Sequence, residues 1–133
     1  HGSARAALTA KRDDTWSAQE HAGHLFDLEP LWLARVDDYA SGRTALTPAD
    51  LTNRRTTEAN HDARPLDRVL ADFRAARATL LRRLDAVDPA RVTGAIPHPR
   101  LGTPMRLPDH LYFVAEHDDH HLASIWRLVA GHR

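Results

Sequence analysis

The stretch HLYFVAEHDDHHLASIWRLV, residues 110–129, decides how the rest of the chain is read. Its apolar residues return at helical spacing, and His117 and His121 stand four apart, one above the other on a single helix face. The stripe that carries them also holds His110, Val114 and Leu128, and is flanked by Leu111, Ile125 and Val129. Both imidazoles therefore face inward. A buried imidazole nitrogen without a partner costs about 1–3 kcal/mol, so two rings stacked on a core-facing stripe need a shared partner. A transition-metal ion is the simplest one. The competing reading is a solvated histidine-rich edge with Glu116 and Asp119 beside it. His120 is about 100° round the helix from His121 and belongs to solvent or a neighbouring helix.

A second histidine-bearing helix is announced by Trp16-Ser17-Ala18-Gln19-Glu20. Ser17 and Glu20 are spaced as a capping box, in which each side chain accepts from the other residue's backbone amide. The helix that follows places Ala18, Ala22, Leu25, Leu28, Leu31, Trp32, Val36 and Tyr39 on one broad face and ends near Ala40, before Gly42. Pro30 lies inside it and removes one backbone hydrogen bond, which predicts a kink or a break. His24 falls at the margin of the apolar face and could supply a third nitrogen ligand. His21, three residues earlier, competes for that role.

The remaining chain is also helical in pattern, and no segment alternates with period two for long enough to predict a strand. Residues 4–11 suit about two helical turns, and Asp13-Asp14-Thr15 breaks them. Thr47-Pro48-Ala49-Asp50 reads as a helix start with Pro48 at the first position, giving a short helix to about Asn60. From Pro65 a long stripe of Leu66, Val69, Leu70, Phe73, Leu80, Leu81, Leu84 and Val87 runs to Asp88-Pro89. Residues 89–107, rich in proline and glycine, predict a surface connection, and Pro108 opens the last helix, to about Ala130. The expected fold is all-α: an up-down four-helix bundle with a shortened first helix and one short connecting helix, in one domain over residues 4–133. His1-Gly2-Ser3 resembles the remnant of an affinity tag.

Composition narrows the function. The chain has 133 residues, with 18 Lys+Arg against 18 Asp+Glu, for a formal net charge of +0. That balance speaks against a nucleic-acid partner, whose binding draws on excess positive charge. There are no cysteines, which excludes disulfides, thiolate metal sites and a cysteine nucleophile. No apolar stretch approaches the roughly 18–20 residues of a membrane span, and the cytoplasm is the expected location. His61 and His98 fall in connections, His98 between stiffening prolines, and His132 in the tail.

The pattern W-S-x-x-E-x-x-x-H-L on Trp16–Leu25 and E-H-D-x-H-H-L-x-x-I on Glu116–Ile125 resembles the DinB/YfiT-like superfamily of metal-binding four-helix bundles. The similarity runs from Trp16 to Ile125, taking in Phe73, Arg77 and Leu81 and the loop His98-Pro99-x-x-Gly102. The resemblance implies three histidine ligands for a divalent cation: His24 from the second helix, and His117 with His121 from the last. His21 and His120 fall outside that triad. One departure is plain, since the family's first helix is normally a full-length strut and here only residues 4–15 precede Trp16. A groove left open by a short first helix would favour a homodimer.

Three neutral imidazoles leave a divalent cation with its full charge and with open coordination positions, as reactive sites do. Zinc or nickel fits such a site best, and iron or manganese would also suit it. The resemblance further implies an enzyme that activates a low-molecular-weight thiol, or water, for transfer to an electrophilic small-molecule substrate. The alternative is a non-catalytic, stress-related bundle that binds metal or ligand. Arg35, Asn60 and Glu116 are candidate pocket residues, and Asp27, Glu29 and Asp118 are candidate partners for the outer N–H groups of the ligands.

Overall fold

The structure, a computed structural model, describes residues 2–11 and 15–131. The expected break at Asp13-Asp14 and the tail residue His132 lie outside the described residues. Among the described residues six α-helices follow one another: α1 (Gly2–Thr9), α2 (Ala18–Asp27), α3 (Glu29–Ala40), α4 (Arg54–Ala59), α5 (Leu66–Asp85) and α6 (Leu107–Ala130). The fold is the expected all-α bundle. Its struts are the short α1, the α2–α3 rod, α5 and α6; α2 packs against α1, α5 and α6, and α3 against α5 and α6. No helix among the described residues is long and apolar enough to cross a membrane.

Local chemistry explains each boundary. Ser17 Oγ accepts from the Glu20 amide at 3.1 Å and Glu20 Oε1 accepts from the Ser17 amide at 3.0 Å, completing the capping box that starts α2. The rod breaks at Leu28, two residues before Pro30, whose ring nitrogen has no hydrogen to give the preceding turn. Expectation and structure part at Pro48. Residues 47–50 are not helical and α4 starts only at Arg54, because Asp50 is spent on a turn: its carboxylate takes the Thr52 amide and hydroxyl and the Arg54 amide. The connection before α6 also holds a minimal antiparallel hairpin, β1 (Ile96–Pro97) with β2 (Pro104–Met105). Two-residue strands are too short to leave a periodic signal.

The apolar core gathers Trp32, Val36 and Tyr39 of α3, Leu46, Leu80 of α5, Ile96 of the hairpin, and Leu107 and Val114 of α6. Leu81, expected on the buried stripe of α5, is exposed instead, one position round from Leu80. Arg77 of α5 ties the middle of the bundle together. Its Nε donates to Glu29 Oε1 at 2.9 Å, and its Nη atoms grip both oxygens of Asp118 at 2.9 and 3.2 Å. This clamp joins the start of α3 to the α6 turn that carries His117.

One glycine has a packing role. Gly23 faces the ring of His61, and a Cβ added there would overlap that ring. In an exposed helix, Gly→Ala gains about 1 kcal/mol. Here Gly23→Ala is expected to cost about 1–3 kcal/mol through overpacking, read as a lower urea midpoint. A stabilised Gly23→Ala variant would contradict the close seating of His61 against α2.

Candidate metal centre

Where α2 meets α6, three imidazoles converge. His24 comes from the last turn of α2, and His117 and His121 come from consecutive turns of α6. One ring nitrogen from each lies within 4.8 Å of those of the other two. The ring centroids are 5.3 Å apart for His24–His117, 4.6 Å for His24–His121 and 4.5 Å for His117–His121. A cation that holds nitrogen at about 2.1 Å would draw the three rings closer together. His24 and His121 are buried and His117 is half-buried.

A chain of hydrogen bonds orients the first ring. Thr56 Oγ donates its only hydrogen to Asp27 Oδ2 at 2.8 Å, so it can only accept from His24 Nδ1, 2.9 Å away. The proton of His24 is thereby fixed on Nδ1, and the Nε2 lone pair is left bare. Asp27 Oδ2 also receives His61 Nε2 at 2.7 Å, and the ring of His61 is 1% exposed. His121 has a comparable partner in His21, their Nδ1 atoms lying 2.8 Å apart. When His121 donates in that pair, its Nε2 is bare as well. His117 Nδ1 is buried and bonded to no described group. The oriented lone pair of His24, the one His121 offers in that tautomer, and an orphaned ring nitrogen on His117 make a donor set that a transition-metal cation fits.

Electrostatics favour the same occupant. Burial, reinforced by the neighbouring imidazoles, pushes His24 down to about 4 and His121 down to about 3. His117 is also lowered, mainly by burial, although Asp118 pulls it partly back. All of these rings are neutral at pH 7 and need shed no proton to act as ligands.

The rings open onto a cavity of about 370 Å³, walled by Trp16, Leu28, Leu31, Trp32 and Phe113. The Trp16 ring covers His24 at 4.5 Å between centroids, and the Trp32 edge meets His117 at 5.4 Å. A cation here would have a mostly apolar vestibule large enough for a small organic molecule.

The other expected residues separate clearly. His21 touches the cluster as the partner of His121, and His120 is exposed. His110, on the same stripe, is fully buried in the apolar core, among Trp32, Tyr39 and Phe113. Among the outer-shell candidates, Asp27 reaches His24 through Thr56, whereas Glu29 and Asp118 are held by Arg77. Arg35 lines the cavity; Asn60 ends α4 in a left-handed conformation, and Glu116 is exposed. Thr56 and His61 were not foreseen. Asp27, one turn after His24, was the available hint; Thr56 arrives on the short α4, whose placement against α2 no periodicity records.

A DinB superfamily family model matches residues 3–125 of the chain. The chain belongs to the DinB superfamily. No curated protein matches it, and no solved structure does.

The lowered histidines set the acid stability of the metal-free protein. Their folded values lie below the ordinary 6.5, so as pH falls the unfolded chain takes up protons before the folded one does. Stability is whole above about 6.5 and drains away through about 4, where His24 titrates, toward about 3, where His121 does. The melting temperature is expected to be level between pH 7 and 8 and to fall steadily below about 6.5. A flat profile down to pH 4 would mean that the rings are freely protonated in the folded state.

Proposed function

We propose that this protein is a divalent-metal-dependent enzyme of the DinB type, with His24, His117 and His121 as the metal ligands. The observation that carries this reading is the meeting of three neutral ring nitrogens at the floor of an apolar cavity. Bound there, a cation with open positions would lower the pKa of a thiol or a water and so supply a nucleophile at neutral pH. Zinc or nickel is the preferred ion, with iron or manganese as alternatives.

The chain's own residues have distinct parts in this scheme. His24, fixed by Thr56 and Asp27, presents its lone pair in a set direction, and His121 is held beside it by its contact with His21. Trp16 and Trp32 keep the rings from bulk water, while Leu28, Leu31 and Phe113 offer an apolar wall to an electrophilic substrate. The chain has no cysteine, so the sulfur nucleophile belongs to a small thiol from solution. With a chloro-nitroarene as the electrophile, the thiol sulfur bonds to the ring carbon, chloride leaves with the bonding pair, and the thiol proton passes to solvent.

Purified protein is expected to hold close to one equivalent of metal, and His117→Ala and His121→Ala to hold almost none. The loaded wild type should speed conjugation of the chloro-nitroarene with at least one member of a small-thiol panel, whereas the alanine variants should not. Thr56→Val removes the acceptor that fixes His24, and should weaken the metal about ten- to a hundredfold in a chelator competition. Metal-loaded protein inert toward every thiol and ester would favour a non-catalytic metal- or ligand-binding bundle.

A further inference from the structure

The same cavity contains a buried positive charge that the triad does not use. Arg35 of α3 is 2% exposed and lines the cavity wall. Among the described residues it makes a single hydrogen bond, from Nε to the Thr47 carbonyl at 2.8 Å, and lies 5.6 Å from the Trp32 ring centre. No carboxylate among the described residues pairs with it. The nearest in charge, Asp38, accepts the Thr47 amide and hydroxyl at Oδ2 and lies 3.6 Å from Arg43 at Oδ1. Asp50, also on the cavity wall, is taken up by Thr52 and Arg54. Arginine is almost never fully buried without an anionic partner.

A second orphan belongs to another residue of the cavity wall. His98 follows β1, is 4% exposed and lines the cavity. Its Nδ1 accepts the backbone amides of Arg100 and Leu101 at 3.2 and 3.1 Å, so its proton must sit on Nε2. That Nε2–H is buried and bonded to no described group. Two donors, one of them charged, are thus carried by residues of the cavity wall, one on α3 and one on the hairpin loop.

We propose that Arg35 and His98 form a carboxylate-recognition subsite, and that the ligand of this cavity is a small organic acid with an apolar body. A planar carboxylate matches the guanidinium fork, which can offer two parallel N–H bonds, and its second oxygen suits the His98 donor. Trp32 neighbours both the subsite and the triad, its ring 5.4 Å from that of His117 and 5.6 Å from the Arg35 guanidinium carbon. A ligand anchored by its acid would therefore lie along Trp32 with its far end toward the three histidines. The assignment deepens the proposed function by naming the substrate class, but it does not require a metal to be bound.

The test uses metal-free protein, so that a carboxylate cannot bind to a cation, and compares benzoate with its neutral counterpart benzamide by calorimetric titration. Benzoate is expected to bind at least about tenfold more tightly than benzamide. Arg35→Met should abolish that preference, while Arg35→Lys should retain part of it. His98→Asn keeps an acceptor for the two loop amides but loses the Nε2–H, and should weaken benzoate about fivefold with benzamide unchanged. If Arg35→Met fails to fold, His98→Asn and Arg35→Lys still decide the matter. Equal binding of the two compounds, no binding of either, or benzoate affinity unaltered in His98→Asn and Arg35→Lys would overturn the proposal. Metal analysis of the same wild-type preparation before chelation reads the proposed function separately.

Discussion

Imidazoles are expensive to bury without partners, and the seam between α2 and α6 buries them in a group. The rest of the architecture serves that constraint. α6 must present His117 and His121 on the side that faces α2, and α2 must end its helical run just past His24. Pro30 contributes to the second requirement by interrupting the rod at Leu28, so that α3 continues as a separate helix into the apolar core. The Arg77 clamp contributes to the first, holding the Asp118 turn of α6 against the start of α3. Each of these features is modest alone; together they aim ring nitrogens from two helices at one point.

The bundle is divided along its length. At the hairpin end, Tyr39, Val36, Leu46, Ile96, Leu107 and Val114 make an ordinary close-packed core. At the other end, Ser17, Gln19, Asp27, Thr56 and His61 form a buried polar layer behind the histidines. Gln19 donates to the carbonyls of His61 and Arg64, so the loop after α4 is pinned to α2 and brings Thr56 and His61 with it. That layer sets the proton on His24 and excludes water from its outer edge. Between the two ends lies the cavity, with Trp32 as the common wall.

Much of this was legible in the sequence, and for identifiable reasons. The stripe of α6, the Ser17–Glu20 capping box and the proline break follow from short-range rules that act within one helix. The pairing of His117 with His121 is of the same kind, since a helix alone brings them together. The meeting with His24 is long-range, and resemblance to a known family pointed to it where periodicity could not. Thr56 and His61 escaped notice because their approach to Asp27 depends on how the loop after α3 folds back. That path is set by the Asp50 turn and by Gln19, and no repeating pattern encodes either. Pro48 misled for a related reason: its sequence suits a helix start, but the Asp50 carboxylate captures the backbone first.

The proposed chemistry rests on one cation uniting positions 24, 117 and 121. Crystals grown with the metal that co-purifies, measured above and below its absorption edge, test this most directly. Expected is a single strong anomalous peak at about 2.0–2.2 Å from a nitrogen of each ring, on the side that opens to the cavity. A peak ligated by His21 or His120 in place of His24, or rings that stand apart with no peak between them, would contradict it.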